Sequence, residues 1–373
     1  MKSIARTTLA HGSRRRMFLW GLVTSAIACL IGPLRAPAAM EPAVGGLINP
    51  GAIVFSRELK RVYAVDRTGG CLVIYNDDLR TMRRVPVGAG PVSVAVNARM
   101  GRAYAANADD GTVGVIDGLS GARVATLAVS GRPYSVAVDA KTGRAYVTDA
   151  AGDGITVIDC ATNEVGRMKT GSADLVAVNA VRGTVDFIGY GTALRVLSER
   201  SNEFREIPVG KHAWGIAVNN ATGVTYVCLI EDSEIAAVDG VSGAPEILPA
   251  GEIPCAVAVD SASNVLYVAN YRGNSVTVLD GAKRRVIATV PVGKHPEAVA
   301  IDPVRHLVFV ANSSDASITV IDAKTNGALL TLPGGKAPYA LAVVPGSDRL
   351  YVANSDPESP STVVDLRAIG ARE

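Results

Sequence analysis

The sequence predicts an all-β protein: one β-propeller of four-stranded blades. Three observations carry this. A motif of the type Tyr-Val-Ala-Asn recurs along the chain at Tyr63, Tyr104, Tyr146, Phe187, Tyr226, Tyr267, Phe309 and Tyr351, with spacings of 39 to 42 residues. Each unit divides into four short apolar or alternating runs separated by Asp, Asn, Ser, Gly and Pro, the residues that turns require. Composition agrees, with 48% hydrophobic and 19% charged residues, many Gly, and five Phe. That balance suits short buried strands and argues against disorder.

The unit beginning at 296 shows the parsing. "EAVAID", "HLVFVAN", "SITVID" and "ALLTLP" read as strands a to d, and "PVR", "SSDAS" and "AKTNG" as turns. One four-stranded sheet cannot bury both of its faces, so the units must stack, and repeats of this length with four strands form propeller blades. Seven complete units run from about 51 to 337, and the last ends one strand short after "STVVDL". The leading "EPAVGGLINPG" matches the end of an outer strand and its loop, because Pro50 precedes Pro91 by the repeat length. The expectation is therefore eight blades, with seven as the alternative, in a ring closed by an N-terminal strand.

The first residues belong to a different text. "SRRRMFLWGLVTSAIACLIGPLRAPAAM" has a basic start, an apolar stretch and small residues in A-x-A spacing at Ala36 and Ala38, the layout of a bacterial secretory signal. The run Arg15-Arg16-Met17-Phe18-Leu19 resembles the twin-arginine export pattern. Residues 1–38 are thus expected to be a cleaved signal peptide, leaving a propeller over 39–373 in the periplasm. Lipoprotein anchoring through Cys29 is the weaker alternative. The apolar stretch is too short and interrupted to span a bilayer, and the mature chain is expected to be a monomer without a transmembrane segment.

Charge narrows the partners. The chain has 37 basic and 35 acidic residues, and residues 1–38 hold six of the basic ones and no acidic one. The mature net charge is then −4, which gives no bulk attraction to nucleic acid. Cys71, Cys160, Cys228 and Cys255 show no C-x-x-C spacing. Cys71, Cys228 and Cys255 sit in apolar strand text and read as small buried hydrophobes, and the sequence cannot pair the four.

The words "RAYVTDAAGDGITVID", "VLYVANYRGNSVTVLD" and "LVFVANSSDASITVID" resemble the YVTN repeat of the YncE-like β-propellers over essentially the whole mature chain. The resemblance implies the fold and says little about chemistry. Unit four, "LVAVNAVRGTVDFIGYGTALRVLSERSNEFREIP", departs most, with Phe187 for Tyr, Gly-Tyr for Ala-Asn, and Glu199 after its third strand. Drift explains this, and adaptation to a ligand is the alternative.

Antiparallel strands place the d-to-a and b-to-c connections on one face and the others on the opposite face. The d-to-a connection is a V-G-x-x-P frame, in which Gly allows a special turn and Pro fixes φ at the strand entry. What the frame leaves free varies: Lys211-His212, Lys294-His295, Lys336 and Arg132 before the strand, and Tyr134, Asp174, Trp214, Cys255, Glu297 and Tyr339 just inside it. The b-to-c loops of the same face add Asp109, Asp110, Asp149, Asp153, Tyr190, Glu231, Asp232, Tyr271 and Arg272. Candidate ligand-binding residues are Lys211, His212, Trp214, Lys294, His295, Arg132, Tyr134, Tyr339 and Arg272, an aromatic and basic funnel suited to an anionic ligand or a polar partner.

Catalytic signatures do not stand out. There is no G-x-S-x-G, the Gly-rich "VGAGP" is followed by no helix, and "NADDG" lacks calcium-loop spacing. With three histidines after residue 38, His306 on the opposite face, no closed zinc site is expected. The reading is a non-catalytic binding or scaffold propeller with a periplasmic protein or small ligand as partner and no cofactor. The first alternative resembles the d1-type haem domain of periplasmic nitrite reductase, with His212 or His295 as axial ligand. The second is a propeller lactonase or lyase using Asp174 and Glu297.

Overall fold

A computed structural model describes residues 53–76, 82–129, 131–240, 243–345, 348–354, 362–367 and 369. They form eight antiparallel sheets in chain order, spanning 53–86, 91–128, 133–169, 175–208, 213–249, 254–291, 296–333 and 338–365 (blades 1 to 8). Blades 1 to 7 have four strands and blade 8 has three among the described residues. In blade 6 the strands are Pro254–Asp260 (a), Val265–Asn270 (b), Ser275–Asp280 (c) and Arg285–Pro291 (d). The a strands neighbour one another in sequence order, and that of blade 8 packs beside that of blade 1, so the ring closes on itself. The expected N-terminal closing strand falls outside the described residues, as does the expected signal peptide. No helix of the described residues is long and apolar enough to cross a membrane.

Burial explains why the sequence reads as it does. Strands b and c are buried nearly end to end, because both of their faces meet a neighbouring blade. Outer strand d alternates between exposed and half-buried positions, with Val290 buried in blade 6. Eight hydrophobic clusters result, one at each blade junction, including Val62, Tyr75, Val344 and Tyr351 where blade 8 meets blade 1.

The recurrent Tyr or Phe of strand b lies in seven of the eight clusters. Tyr146 and Phe187 sit together where blades 3 and 4 meet, and the cluster where blades 4 and 5 meet is aliphatic. These eight rings are the largest fully buried side chains among the described residues. Each is worth about 2–3 kcal/mol of burial. Several tyrosines also tie their blade to the next one through the hydroxyl. Tyr63 donates to the Gly118 carbonyl at 3.0 Å, Tyr146 to Glu199 Oε1 at 2.7 Å, and Tyr226 accepts from Arg284 Nη1 at 3.2 Å.

The face carrying the a-to-b and c-to-d connections is built from Asx turns. Asp117, Asp159, Asp280 and Asp322 each accept backbone amides two and three residues ahead. His306 sits on this face between strands a and b of blade 7, in a left-handed turn with φ 56°.

Candidate functional site: the turn face around the central channel

In six of the blades the fourth residue of the Tyr-Val-Ala-Asn word is Asn or Asp and closes strand b on the other face. In blade 6, Asn270 accepts from the Gly251 amide at 3.0 Å and donates to Ser275 Oγ at 3.0 Å and Thr277 Oγ1 at 2.9 Å. Asn312 donates in the same way to Ser317 and Thr319 in blade 7. In blades 1 and 3 this slot is Asp66 or Asp149, paired with Arg84 or Arg167 from strand d. The glycine of the V-G frame lies directly against the slot side chain. A Cβ on Gly251 or Gly293 would fall 2.6 or 2.7 Å from the Asn amide group. At these two positions lack of space, and not φ, demands glycine.

Three residues past the slot, Asp110, Asp232 and Asp315 cap the entry turns, accepting the amides of Ala89, Lys211 and Lys294 at 2.6–2.7 Å. These acids are therefore turn elements, and the lysine backbones are pinned while the Lys211, Lys294 and Lys336 side chains reach solvent. Arg132 is held the same way, its amide 2.8 Å from Asp149 Oδ1. Arg272 pairs across adjacent turns with Glu252 at 3.6 Å, both half-exposed.

The histidines are less free than the frame suggests. Each occupies the residue before strand a with φ 49° or 52°, a left-handed conformation shared by Gly90, Ile253 and Ala337 at the same place. The turn imposes it, and His tolerates it better than most residues. Each ring then stacks on a tyrosine from the b-to-c loop of the preceding blade: His212 on Tyr190 and His295 on Tyr271, both with centroids 4.4 Å apart. His212 Nδ1 lies 2.5 Å from Glu231 Oε1, and His295 Nδ1 lies 2.6 Å from Ser314 Oγ. The two are struts between blades. Among the described residues no group of three His, Cys, Asp or Glu is placed to hold a metal ion.

The second residue of strand a faces the channel mouth, and here side chains from distant blades converge. Burial pushes the Tyr339 phenol well above its usual range, with Arg67 opposing and Asp66 and Glu297 reinforcing the shift. Its hydroxyl is buried without a hydrogen-bond partner. Burial also raises Tyr134, which feels Asp174, Arg132 and the same Arg67. Asp174 is raised by burial, against a hydrogen bond from the Tyr190 backbone, and the half-buried Cys255 thiol is pushed up by desolvation, with Glu297 reinforcing the shift. An electrostatically connected arc therefore runs from Glu297 through Tyr339, Arg67 and Tyr134 to Asp174, spanning blades 7, 8, 1, 3 and 4. Trp214 stands half-buried at the equivalent position of blade 5.

Arg67 was not among the residues expected from sequence. It follows slot Asp66 at the position where Tyr271 follows Asn270, so the signal was available in the alignment of the repeats. Its guanidinium is mostly covered and lies 3.4 Å from Asp109 of the next blade. All four cysteines after residue 38 are free thiols; Cys228 is buried as expected, whereas Cys71 and Cys255, near the ends of their strands, are only half-buried.

These features define an eight-bladed β-propeller with a polar and aromatic channel mouth. Hydrazine synthase of Kuenenia stuttgartiensis is similar in structure, with TM-score 0.60 and 17% identity over 76% of this chain and 99% of that one. So is the computationally designed Ika8 protein, with TM-score 0.70 and 13% identity over 86% and 98%. At such identities the likeness concerns the fold alone. No family model matches the chain, and no curated protein matches it in sequence.

Proposed function

We propose that this is an exported, periplasmic propeller of the YVTN type that binds a partner or small ligand on its turn face and performs no catalysis. The observation that carries the reading is the arc at the channel mouth. Tyr134 and Tyr339 are held protonated beside Arg67, and the Tyr339 hydroxyl has no protein partner. The half-buried Tyr134 and Tyr339 rings, a shared guanidinium and flanking carboxylates form a recognition surface, with the Tyr339 hydroxyl buried behind it. Nothing among them pairs a nucleophile with a base. The repeat resemblance and the twin-arginine pattern support the family and the compartment.

The test begins with the mature protein purified from periplasm. A colourless, metal-free protein whose partner capture is lost in Tyr134→Ala/Tyr339→Ala, and kept in Lys141→Ala on the opposite face, fits the reading. A coloured protein or stoichiometric metal that disappears with His212→Ala would replace it with the haem alternative. Turnover of a lactone, abolished by Asp174→Asn, would replace it with an enzyme.

A further inference from the structure

Six blades hold Asn or Asp in the slot, and blade 5 fills it with fully buried Leu229; blade 4 does neither. Its slot residue is Tyr190, and Thr192 and Leu194 stand where blade 6 has the two hydroxyls Ser275 and Thr277. Tyr190 has no amide or carboxylate to bridge the turn and Leu194 offers no acceptor, so the network of blade 6 has no counterpart there. Strand b ends at Ile188, and Tyr190 swings out to stack on His212 with 48% of its surface exposed. A cavity of about 210 Å³ opens beside it, lined by Tyr190, Thr192, Arg195, Glu206 and the backbone of Ser172, Gly189 and Gly191.

The chemistry of the lining selects the ligand. Arg195 Nε donates to Glu206 Oε1 at 2.8 Å and Nη1 to the Ser172 carbonyl at 2.9 Å. The guanidinium is thus already neutralised, and an anion would have to displace Glu206. What remains is a carboxylate acceptor, guanidinium and hydroxyl donors, peptide groups and an aromatic ring. That set suits a neutral, hydroxyl-rich molecule with an apolar C–H face. The volume is that of about seven waters and is below the range of drug-sized pockets, so it admits one ring.

We propose that the blade 4 notch is a binding subsite for a single pyranose sugar, its ring against Tyr190 and its hydroxyls bridging Arg195 and Glu206. The proposal goes beyond the reading of the channel mouth and stands independently of it, since none of the mouth residues lines the notch.

The test is saturation-transfer NMR and calorimetry on the mature protein with glucose, galactose and N-acetylglucosamine, and with inorganic phosphate and acetate as anion probes. At least one sugar is expected to bind, with affinity falling at least tenfold in Tyr190→Ala. The milder Glu206→Gln and the cavity-filling Tyr190→Asn/Leu194→Thr should weaken it too, each with an unchanged circular dichroism spectrum. Tyr134→Ala/Tyr339→Ala should leave sugar binding intact even while abolishing partner capture. No saturation transfer from any sugar, equal binding by Tyr190→Ala, or tighter binding of phosphate or acetate would each overturn the proposal.

Discussion

Blades 4 and 7 share a core and differ at the turn face. Both bury a phenylalanine at the centre of strand b, Phe187 and Phe309, each fully inaccessible. Yet blade 7 closes its turn with Asn312, two hydroxyls and an Asp315 cap, whereas blade 4 leaves Tyr190 outside and a cavity behind. Its other departures have structural partners. Glu199 accepts the hydroxyls of Tyr146 and Thr142 from blade 3, and buried Asp186 is held by Thr184 and Thr225. The comparison teaches that a repeat can keep its packing and still release one turn from structural duty. Deviation confined to that turn is where a ligand can be accommodated at small cost to stability.

The largest expected effects test the shared half of this comparison. Phe187→Ala and Phe309→Ala should each lower stability by about 3–5 kcal/mol in urea unfolding. A much smaller loss at Phe187 would mean that blade 4 is loosened through its core as well. Next, Asn312→Ala should cost about 1–3 kcal/mol, because it strands the partners of a buried amide, while Tyr190→Ala should cost clearly less. The reverse exchange, Tyr190→Asn/Leu194→Thr, should raise stability by about 1 kcal/mol if the regular network forms.

The junction between blades 3 and 4 adds a pH test. Burial raises the Glu199 carboxyl, and its hydrogen bond with Asp139 raises it further. For Asp139, burial is outweighed by hydrogen bonds from Glu199 and from the Lys141 and Thr142 amides, which hold it low. The facing groups are Tyr146, Thr142 and, through Tyr146, Arg144. Glu199 therefore contributes stability that is full in acid and lost as pH rises through its raised pKa. Asp139 contributes stability that is lost as pH falls through its lowered one. Glu199→Gln keeps the donor to Asp139 and cannot ionise, so its stability relative to wild type should improve as pH rises. Urea midpoints from about pH 4 to pH 8 read this directly, and parallel curves would contradict the opposed shifts of the two carboxyls. The smallest effect is expected at His295→Gly, where relief of the left-handed turn offsets a stacking contact worth about 0.5–1.5 kcal/mol.

The propeller and its register were legible because one buried aromatic side chain recurs in strand b of every blade and the period survives loss of the tyrosine hydroxyl at Phe187 and Phe309. The two faces were legible from strand alternation alone. The role of the Lys-His pair was not, because a left-handed residue is evident in sequence when it is Gly90 and hidden when it is His212. Arg67 was missed although its position repeats, since only its reach toward Tyr134 and Tyr339 shows its importance. The notch was invisible for a related reason: that Thr192 and Leu194 stand where Ser275 and Thr277 hold the slot in blade 6 is evident once the pairing of strands b and c is known.

The central claim is that partners meet this protein on the turn face. Site-specific photo-cross-linking in cells tests it directly, with a benzophenone side chain placed at position 134, at 339, or at 141 on the opposite face. The account expects discrete adducts from 134 and 339 and none from 141. Adducts confined to 141, or none from the channel mouth in a correctly folded and exported protein, would contradict it.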